Sequence, residues 1–422
     1  MINQINKVGV IGAGTMGAGI AGQVANAGID VWLLDLPSEG EDVNMLSGKG
    51  LERLKDPDMP GLMSKEAENL INLGNTRDHF HELADCDWIA EAVVERLDIK
   101  QSLYKKLNDS CKKSTIITSN TSTIPIKLLT EGMPIEFCER FAITHFFNPV
   151  RFMRLLELVR GEFTRDDVIS TLHEFSEIKL GKGVVPCSDT PGFLANRVGV
   201  FAIQCALHNA FELGLSPTEA DAFFGRPLGL PKTGVFGLYD LIGIDLMADV
   251  VRSLVSILPE DDAFHKYSAP IDFMTKMIAN GQTGNKNDKG FYKQDGDGKK
   301  VINLSNGNYV PHERLKAPLL EIAEKNGVSE ILNDNGPYGL YIWRVLSETL
   351  CYAASLVPEV TEDLTQIDDA MKLGYNWIKG PFELLDEIGA EGFINRLKDD
   401  GRDVPSFLQK SLPKKFYTAL ES

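Results

Sequence analysis

Short apolar runs alternate with helical spacing along the first part of the chain. Val8, Val10 and Ile11 build a strand over residues 7–11, and Val31-Trp32-Leu33-Leu34 builds a second that Asp35 ends. Trp88-Ile89-Ala90-Glu91-Ala92-Val93-Val94 has the pattern of a buried strand and leads into a helix through Leu107. Thr115–Ser119 and Phe141–His145 read as further short strands. Residues 41–83 are polar and read as helical, with a break from Asp56-Pro57 to Gly61. Strands that alternate with helices predict a parallel, doubly wound sheet. The pattern then changes near Asp189-Thr190-Pro191-Gly192. Helical spacing runs from Phe193 to Leu213, and further helices follow to about Ala279. Residues 281–308 are polar and glycine-rich and read as a turn and connector. Helical spacing resumes at about 313 and continues to about 398.

The helical part repeats itself. Asn196-Arg197 opens a helix, and Phe236-Gly-Leu-Tyr-Asp-Leu-Ile-Gly243 follows 40 residues on. Trp343-Arg344 opens another, and Phe382-Glu-Leu-Leu-Asp-Glu-Ile-Gly389 follows at nearly the same distance. Between them, Glu219-Ala220-Asp221 matches the region of Ile367-Asp368-Asp369. Several positions in register predict a duplicated unit.

A glycine turn gives the first part its chemistry. Gly12-Ala13-Gly14-Thr15-Met16-Gly17 follows a strand, opens a helix and precedes Asp35, 23 positions after Gly12. That context makes the motif a dinucleotide fingerprint. Gly12 permits the tight turn, Gly14 lets a pyrophosphate approach the backbone, and Gly17 lets helix and strand pack closely. The helix N-terminus offers unpaired amides and a positive dipole end to the phosphates. Asp35 can accept hydrogen bonds from ribose hydroxyls and would repel a 2′-phosphate, so NAD is expected over NADP. The fold class expected is an α/β Rossmann doubly wound domain followed by two mainly α-helical repeat domains. The expected division is 1–188 for the NAD-binding domain, 189–300 for the first helical domain, 301–330 for a connector and 331–415 for the second repeat.

Bulk composition narrows the partners. The 422 residues are 43% hydrophobic and 24% charged, an ordinary globular balance. A net charge of −17 excludes a nonspecific nucleic-acid binder, which needs a basic surface. The six cysteines form no C-x-x-C pair and read as reduced thiols of a cytoplasmic protein. The histidines include one tight pair, His79 and His81, with no cysteine nearby, so no metal site is expected. No basic, then apolar, N-terminal segment marks a secretory signal, and no apolar run reaches the roughly 18 residues that span a bilayer.

The remaining motifs are Thr-Ser-Asn-Thr-Ser-Thr-Ile-Pro-Ile at 118–126, Thr-His-Phe-Phe-Asn-Pro-Val at 144–150, Glu157 within Leu-Leu-Glu-Leu-Val, and Asn196 within Asp-Thr-Pro-Gly-Phe-Leu-Ala-Asn-Arg. Their polar residues lie at or beside apolar strands, where doubly wound sheets place ligands. Taking a hydride from an alcohol needs a base for the hydroxyl proton, and histidine suits that task. Glu157 is the candidate to hold the other ring nitrogen, although its apolar neighbours leave another partner open. Ser122 is a candidate ligand or a cap for a helix near Ile124-Pro125, and Asn196 is a candidate ligand or a cap. Lys49, Arg53 and Lys55 are read either as coenzyme A phosphate contacts or as a solvated helix face.

In combination and order, Ser-Asn-Thr-Ser, His-Phe-Phe-Asn-Pro and Asp-Thr-Pro-Gly-Phe-x-x-Asn-Arg resemble the L-3-hydroxyacyl-CoA dehydrogenase family over nearly the whole chain. The resemblance implies NAD-dependent oxidation of (S)-3-hydroxyacyl-CoA to 3-ketoacyl-CoA in fatty-acid β-oxidation. It makes His145 the general base, Glu157 its orienting partner, and Ser122 and Asn196 hydrogen-bond donors to the substrate. It matches Asp35, Glu95, Lys100, Ser122 and Asn148, with Met16 and the glycine turn, to contacts with the nicotinamide cofactor. The length is similar to the dehydrogenase portion of multifunctional fatty-acid oxidation enzymes, which implies fusion to or complex with an enoyl-CoA hydratase. Trp343 stands where the second copy would have its own Asn196, which implies a packing role for that copy. The alternatives are another Rossmann 3-hydroxyacid-type dehydrogenase and a non-catalytic NAD-binding scaffold subunit. Against the first, the Asp-Thr-Pro-Gly-Phe segment offers Asn196 and no lysine base, and Cys187 lacks the glycine context of a nucleophile. Against the second stand Ser122, His145, Glu157 and Asn196, all intact.

Overall fold

The computed structural model describes residues 4–410 and 415–417. The chain divides into two compact units, Met1–Phe193 and Leu194–Ser422.

The first unit is built on an eight-stranded sheet. In chain order its strands are β1 (Lys7–Ile11), β2 (Asp30–Asp35), β3 (Ile71–Asn75), β4 (Trp88–Glu91), β5 (Ile116–Ser119), β6 (Phe141–Phe146), β7 (Leu155–Arg160) and β8 (Gly183–Cys187). Their spatial order is β3-β2-β1-β4-β5-β6-β7-β8. The strands from β3 to β6 pair in parallel, in the doubly wound order that reverses between β1 and β4. Val8, Val10, Val31 and Leu33 are buried against Ile20, Ala21 and Val24 of the helix Thr15–Asn26 in one core.

Two expectations for this unit are corrected. The sheet is not wholly parallel: β7 pairs antiparallel with β6, and β8 runs with β7. A short return from β6 lets the chain reverse direction, which a parallel neighbour reached by a helical crossover does not. The polar stretch 41–83 is not helical throughout, because Ile71–Asn75 forms the edge strand β3. Asn72 there donates to Asp30 at 2.8 Å, a polar side chain suited to a sheet edge.

The second unit is mainly helical and contains both copies of the repeat. Helices Ala195–Glu212 and Pro337–Ser355 are the long first helices of the two copies, and Phe201 stacks on Tyr352 across them at 4.2 Å between ring centroids. The duplication extends to hydrogen bonding. Asp221 accepts from the Phe236 and Gly237 amides at 2.7 and 3.0 Å and from the Tyr292 hydroxyl at 2.8 Å. Asp368 accepts from the Phe382 and Glu383 amides at 2.8 and 3.0 Å and from the Tyr417 hydroxyl at 2.7 Å. Each aspartate satisfies the orphan donors at the start of a helix, Gly234–Ile242 in one copy and Pro381–Ile388 in the other. Glycine is required at both approaches: a Cβ on Gly234 or Gly380 would lie 2.3 Å from the aspartate Cβ.

The glycine-rich stretch also departs from expectation. Instead of only turns and a connector, it contains β9 (Tyr292–Asp295) and β10 (Gly298–Ile302), which form a three-stranded antiparallel sheet with β11 (Tyr309–Pro311) just beyond it. The hairpin turn at Gly296-Asp297 and the Asn303–Asn308 loop dominate its composition, so the short strands are hidden among turn residues. A helix, Pro318–Asn326, lies within the expected connector. All six cysteines are free thiols.

Candidate active site

The glycine turn sits at the end of β1, where strand order reverses. Gly12 adopts φ +99, and a Cβ on it would lie 2.4 Å from the Ala92 carbonyl oxygen. A Cβ on Gly17 would lie 1.7 Å from the Gly12 carbonyl oxygen. Gly14 differs: a Cβ there meets nothing within 4 Å. The turn is therefore closed beneath and open above, as a diphosphate requires. The helix that follows has no side-chain cap and no acidic residue in its first turn, so its leading amides remain available to an anion. Asp35, at the end of β2, accepts from the Ala13 amide at 2.5 Å and the Leu36 amide at 2.7 Å. Those bonds fix the carboxylate beside the turn and leave lone pairs for ribose hydroxyls. These residues fit NAD.

A buried polar network lies under the neighbouring strand ends. Glu91, wholly buried, accepts from Lys100 Nζ at 2.7 Å, the Tyr104 hydroxyl at 2.5 Å and the Ser119 hydroxyl at 2.7 Å. Lys100 also lies 3.2 Å from Glu95. Thr121 and Thr123 donate their hydroxyls to Glu95. Burial works to raise the Glu95 pKa, but the Lys100 charge and the two hydroxyls outweigh it and hold the carboxyl below the usual glutamate value. Sequence reasoning missed Glu91; its one signal was an acidic residue inside an apolar strand.

His145 and Glu157 face each other directly across the antiparallel β6–β7 ladder. Nδ1 of His145 lies 2.7 Å from Oε2 of Glu157, with both side chains buried. This leaves Nε2 as the nitrogen for chemistry. The rings of Phe147 and Phe193 pack against the imidazole at 4.6 and 5.7 Å between centroids. Asn120, also missed from sequence, accepts from the Phe146 amide at 2.9 Å and ties the end of β5 to β6.

The half-buried Ser122 makes no hydrogen bond among the described residues. It caps no helix; the amides at Ile126 and Lys127 are met instead by Asp189, at 3.0 and 3.4 Å. Asn148 is exposed just beyond β6, and Met16 is half-buried in the first helical turn. Arg53 donates to the Ala13 carbonyl at 2.9 Å, and Lys55 pairs with Glu68 at 2.6 Å. In the second unit, Asn196 is half-buried in the first turn of Ala195–Glu212 and accepts from the Tyr375 hydroxyl at 3.3 Å. Trp343, its counterpart, is packed: its indole donates to Asp400 at 2.7 Å and Arg396 lies 4.0 Å above the ring. Among the described residues, no group of three or more His, Cys, Asp or Glu is placed to hold a metal ion, and no helix is long and apolar enough to cross a membrane.

A glycine turn at the reversal point of this strand order, with a histidine–carboxylate pair on the same sheet, defines a Rossmann-type nicotinamide dehydrogenase class. The chain belongs to the 3-hydroxyacyl-CoA dehydrogenase family: the family's NAD-binding domain matches residues 7–190 and its C-terminal domain matches 192–294 and again 339–418. A putative fatty acid oxidation complex trifunctional enzyme of Rickettsia prowazekii is 39% identical over 427 residues, covering 100% of this chain and 58% of the relative. A probable 3-hydroxyacyl-CoA dehydrogenase of Deinococcus radiodurans is 41% identical over 298 residues, covering 70% of this chain and 85% of the relative. The crystal structure of 3-hydroxybutyryl-CoA dehydrogenase from Escherichia coli K12 shares the fold, with a TM-score of 0.71 at 24% identity over 97% of this chain and 98% of that one. The chain spans 58% and 55% of the two Rickettsia trifunctional relatives it matches.

Proposed function

We propose that this chain is an NAD-dependent dehydrogenase that oxidises (S)-3-hydroxyacyl-CoA to 3-ketoacyl-CoA in fatty-acid β-oxidation. The observation that carries the reading is the buried His145–Glu157 pair at 2.7 Å on the sheet that bears the glycine turn. When bound, NAD would supply the acceptor for the hydride that leaves C3 of the substrate. His145 Nε2 takes the C3 hydroxyl proton. Glu157 holds Nδ1–H, which sets the tautomer, and supplies the counter-charge to the imidazolium that forms. The Ser122 hydroxyl and the Asn196 amide donate to substrate oxygens. Gly12, Gly14, Met16, Gly17, Asp35, Glu95, Ser122 and Asn148 contact the cofactor. Lys100 acts as a positioning residue, because its ammonium is buried between Glu91 and Glu95.

We divide the chain into a nucleotide-binding domain and two helical domains joined by the stretch that contains β11 and Pro318–Asn326. The trifunctional names of the Rickettsia relatives support fusion to, or complex with, further activities of fatty-acid oxidation; we take an enoyl-CoA hydratase to be one of them and place the enzyme in the cytoplasm. Hydration of a 2-enoyl thioester yields the 3-hydroxyl that this site would oxidise. The test is turnover of acetoacetyl-CoA with NADH. Steady oxidation of NADH supports the reading, and a folded protein that turns over nothing removes it.

A further inference from the structure

We propose that Tyr375, supplied by the second helical copy, is a positioning residue that sets the Asn196 amide for substrate. The inference rests on the reading that Asn196 contacts the acyl-CoA.

Tyr375 is the last residue of the helix Leu364–Tyr375, and Asn376 stops that helix in the left-handed conformation at φ 54. The backbone under the tyrosine is thus fixed. Its ring lies against the first turn of Ala195–Glu212: a Cβ built on Gly199 would lie 2.2 Å from the ring Cζ. Gly199 is three residues after Asn196 and so shares its helix face. The ring reaches Asn196 only because this position has no side chain. Its hydroxyl then donates to Asn196 Oδ1 at 3.3 Å.

The chemical consequence concerns which end of the amide faces a ligand. An asparagine side chain has two near-equivalent orientations that exchange its oxygen and nitrogen. A phenol can donate to Oδ1 or accept from Nδ2; here it donates to Oδ1, which leaves Nδ2 with two N–H donors to offer. A donor is what a hydroxyl or thioester oxygen needs, and the flipped amide would present an acceptor. The second copy has given up its own amide at Trp343, which is sealed by Asp400 and Arg396. It contributes instead a tyrosine that orients the amide of the first copy. The duplication therefore reaches the chemistry through a single side chain.

The test uses the full chain, acetoacetyl-CoA and NADH, with Tyr375→Phe, Gly199→Ala, Asn196→Ala and the Asn196→Ala/Tyr375→Phe double variant. Tyr375→Phe is expected to lower kcat/KM for acetoacetyl-CoA by roughly 3- to 10-fold, the loss of one neutral hydrogen bond. The change should fall in KM for the thioester, with kcat and NADH affinity nearly unchanged. Gly199→Ala should show the same signature, because its methyl displaces the half-buried ring and carries the hydroxyl away from Asn196 although the phenol itself is retained. Asn196→Ala should lose more, and adding Tyr375→Phe to it should cost nothing further. Tyr417→Phe is the control: it loses a hydrogen bond to Asp368 in the same copy, and should lower the melting temperature while keeping kcat/KM. A Tyr375→Phe enzyme with unaltered kinetics, a loss that adds in full to that of Asn196→Ala, or an equal kinetic loss in Tyr417→Phe each overturns the inference alone. A folded wild type without turnover overturns the functional reading and this inference with it.

Discussion

Replacing Glu157 by glutamine keeps the shape of the side chain and deletes its charge. The structure sets the size of the effect. Nδ1 and Oε2 are 2.7 Å apart in a buried site, so bulk water does not screen the pair directly. Two unit charges centred about 4 Å apart at an effective dielectric of about 20 attract by about 4 kcal/mol. That attraction exists only once the imidazole has taken the substrate proton, so it acts on the transition state more than on the ground state. At about 1.4 kcal/mol per decade the full term is worth nearly 10³-fold in rate. Glutamine still offers an oxygen to Nδ1–H and recovers part of it, so Glu157→Gln should lower kcat by about 10²- to 10³-fold. His145→Gln removes the base itself and should lower kcat by about 10²- to 10⁴-fold. NAD affinity should barely change in either, because neither residue lies at the glycine turn or at Asp35. The two residues act as one unit, so the double variant should be little worse than His145→Gln alone. The assay is steady-state oxidation of (S)-3-hydroxybutyryl-CoA by NAD, with folding checked by circular dichroism. A folded His145→Gln enzyme with near-normal turnover would refute the reasoning, since another group would then be taking the proton.

Asp35→Ala with a basic residue added nearby should raise the use of NADPH relative to NADH, and a wild type that prefers NADPH at equal concentration would contradict the assignment of Asp35. A fragment ending near residue 310 should aggregate, because it strips Tyr352 from Phe201 and both Tyr352 and Glu359 from Arg197; a soluble, fully active fragment would show that the second copy is dispensable. Burial pushes the Cys86 and Cys351 thiols up to about 12 and Cys111 up to about 11. Below those values the reactive thiolate is scarce, so at pH 8 iodoacetamide should spare all three in the folded protein and modify them after denaturation. Mass spectrometry reads the outcome, and rapid labelling of any of the three under native conditions would count against it.

Much of the first unit could be read from the chain because its strands are apolar runs bounded by glycine, aspartate or serine. The glycine turn was legible for the same reason: its spacing is tied to a strand before it and an acid after it. Strand β3 was not, since Ile71-Asn72-Leu73-Gly74-Asn75 mixes polar residues into an edge position where one side needs no apolar cover. The reversal at β7 was not legible either, because strand direction is decided by the ladder a segment joins. The repeat was visible in its helices, yet the hydrogen bonds extend it further: Asp240 accepts from the Phe291 and Tyr292 amides, and Asp386 accepts from the Phe416 and Tyr417 amides. At the site, Ser122, His145, Glu157 and Asn196 stood in recognisable motifs. Glu91 and Tyr375 did not, and Asn120 lay inside the Ser-Asn-Thr-Ser motif without a readable role, because each acts through another side chain or a distant backbone amide, and no local spacing records such a partner.

The opposition of His145 and Glu157 depends on ladder register. In an antiparallel pair, side chains alternate between faces, and one residue of slip moves a side chain to the other side. An insertion within β6 ahead of His145 would therefore separate the imidazole from its carboxylate without changing either residue. The connection over residues 147–154 is different, because it can lengthen or shorten while Phe146↔Leu156 and His145↔Glu157 remain opposite. Variation in length is thus ruinous inside the strands, while in the connection it is confined to positions away from Phe147, which packs on His145, and Arg151, which donates to the Pro60 and Leu62 carbonyls. Sequence drift among enzymes of this architecture should accumulate insertions between the two strands and almost none inside them.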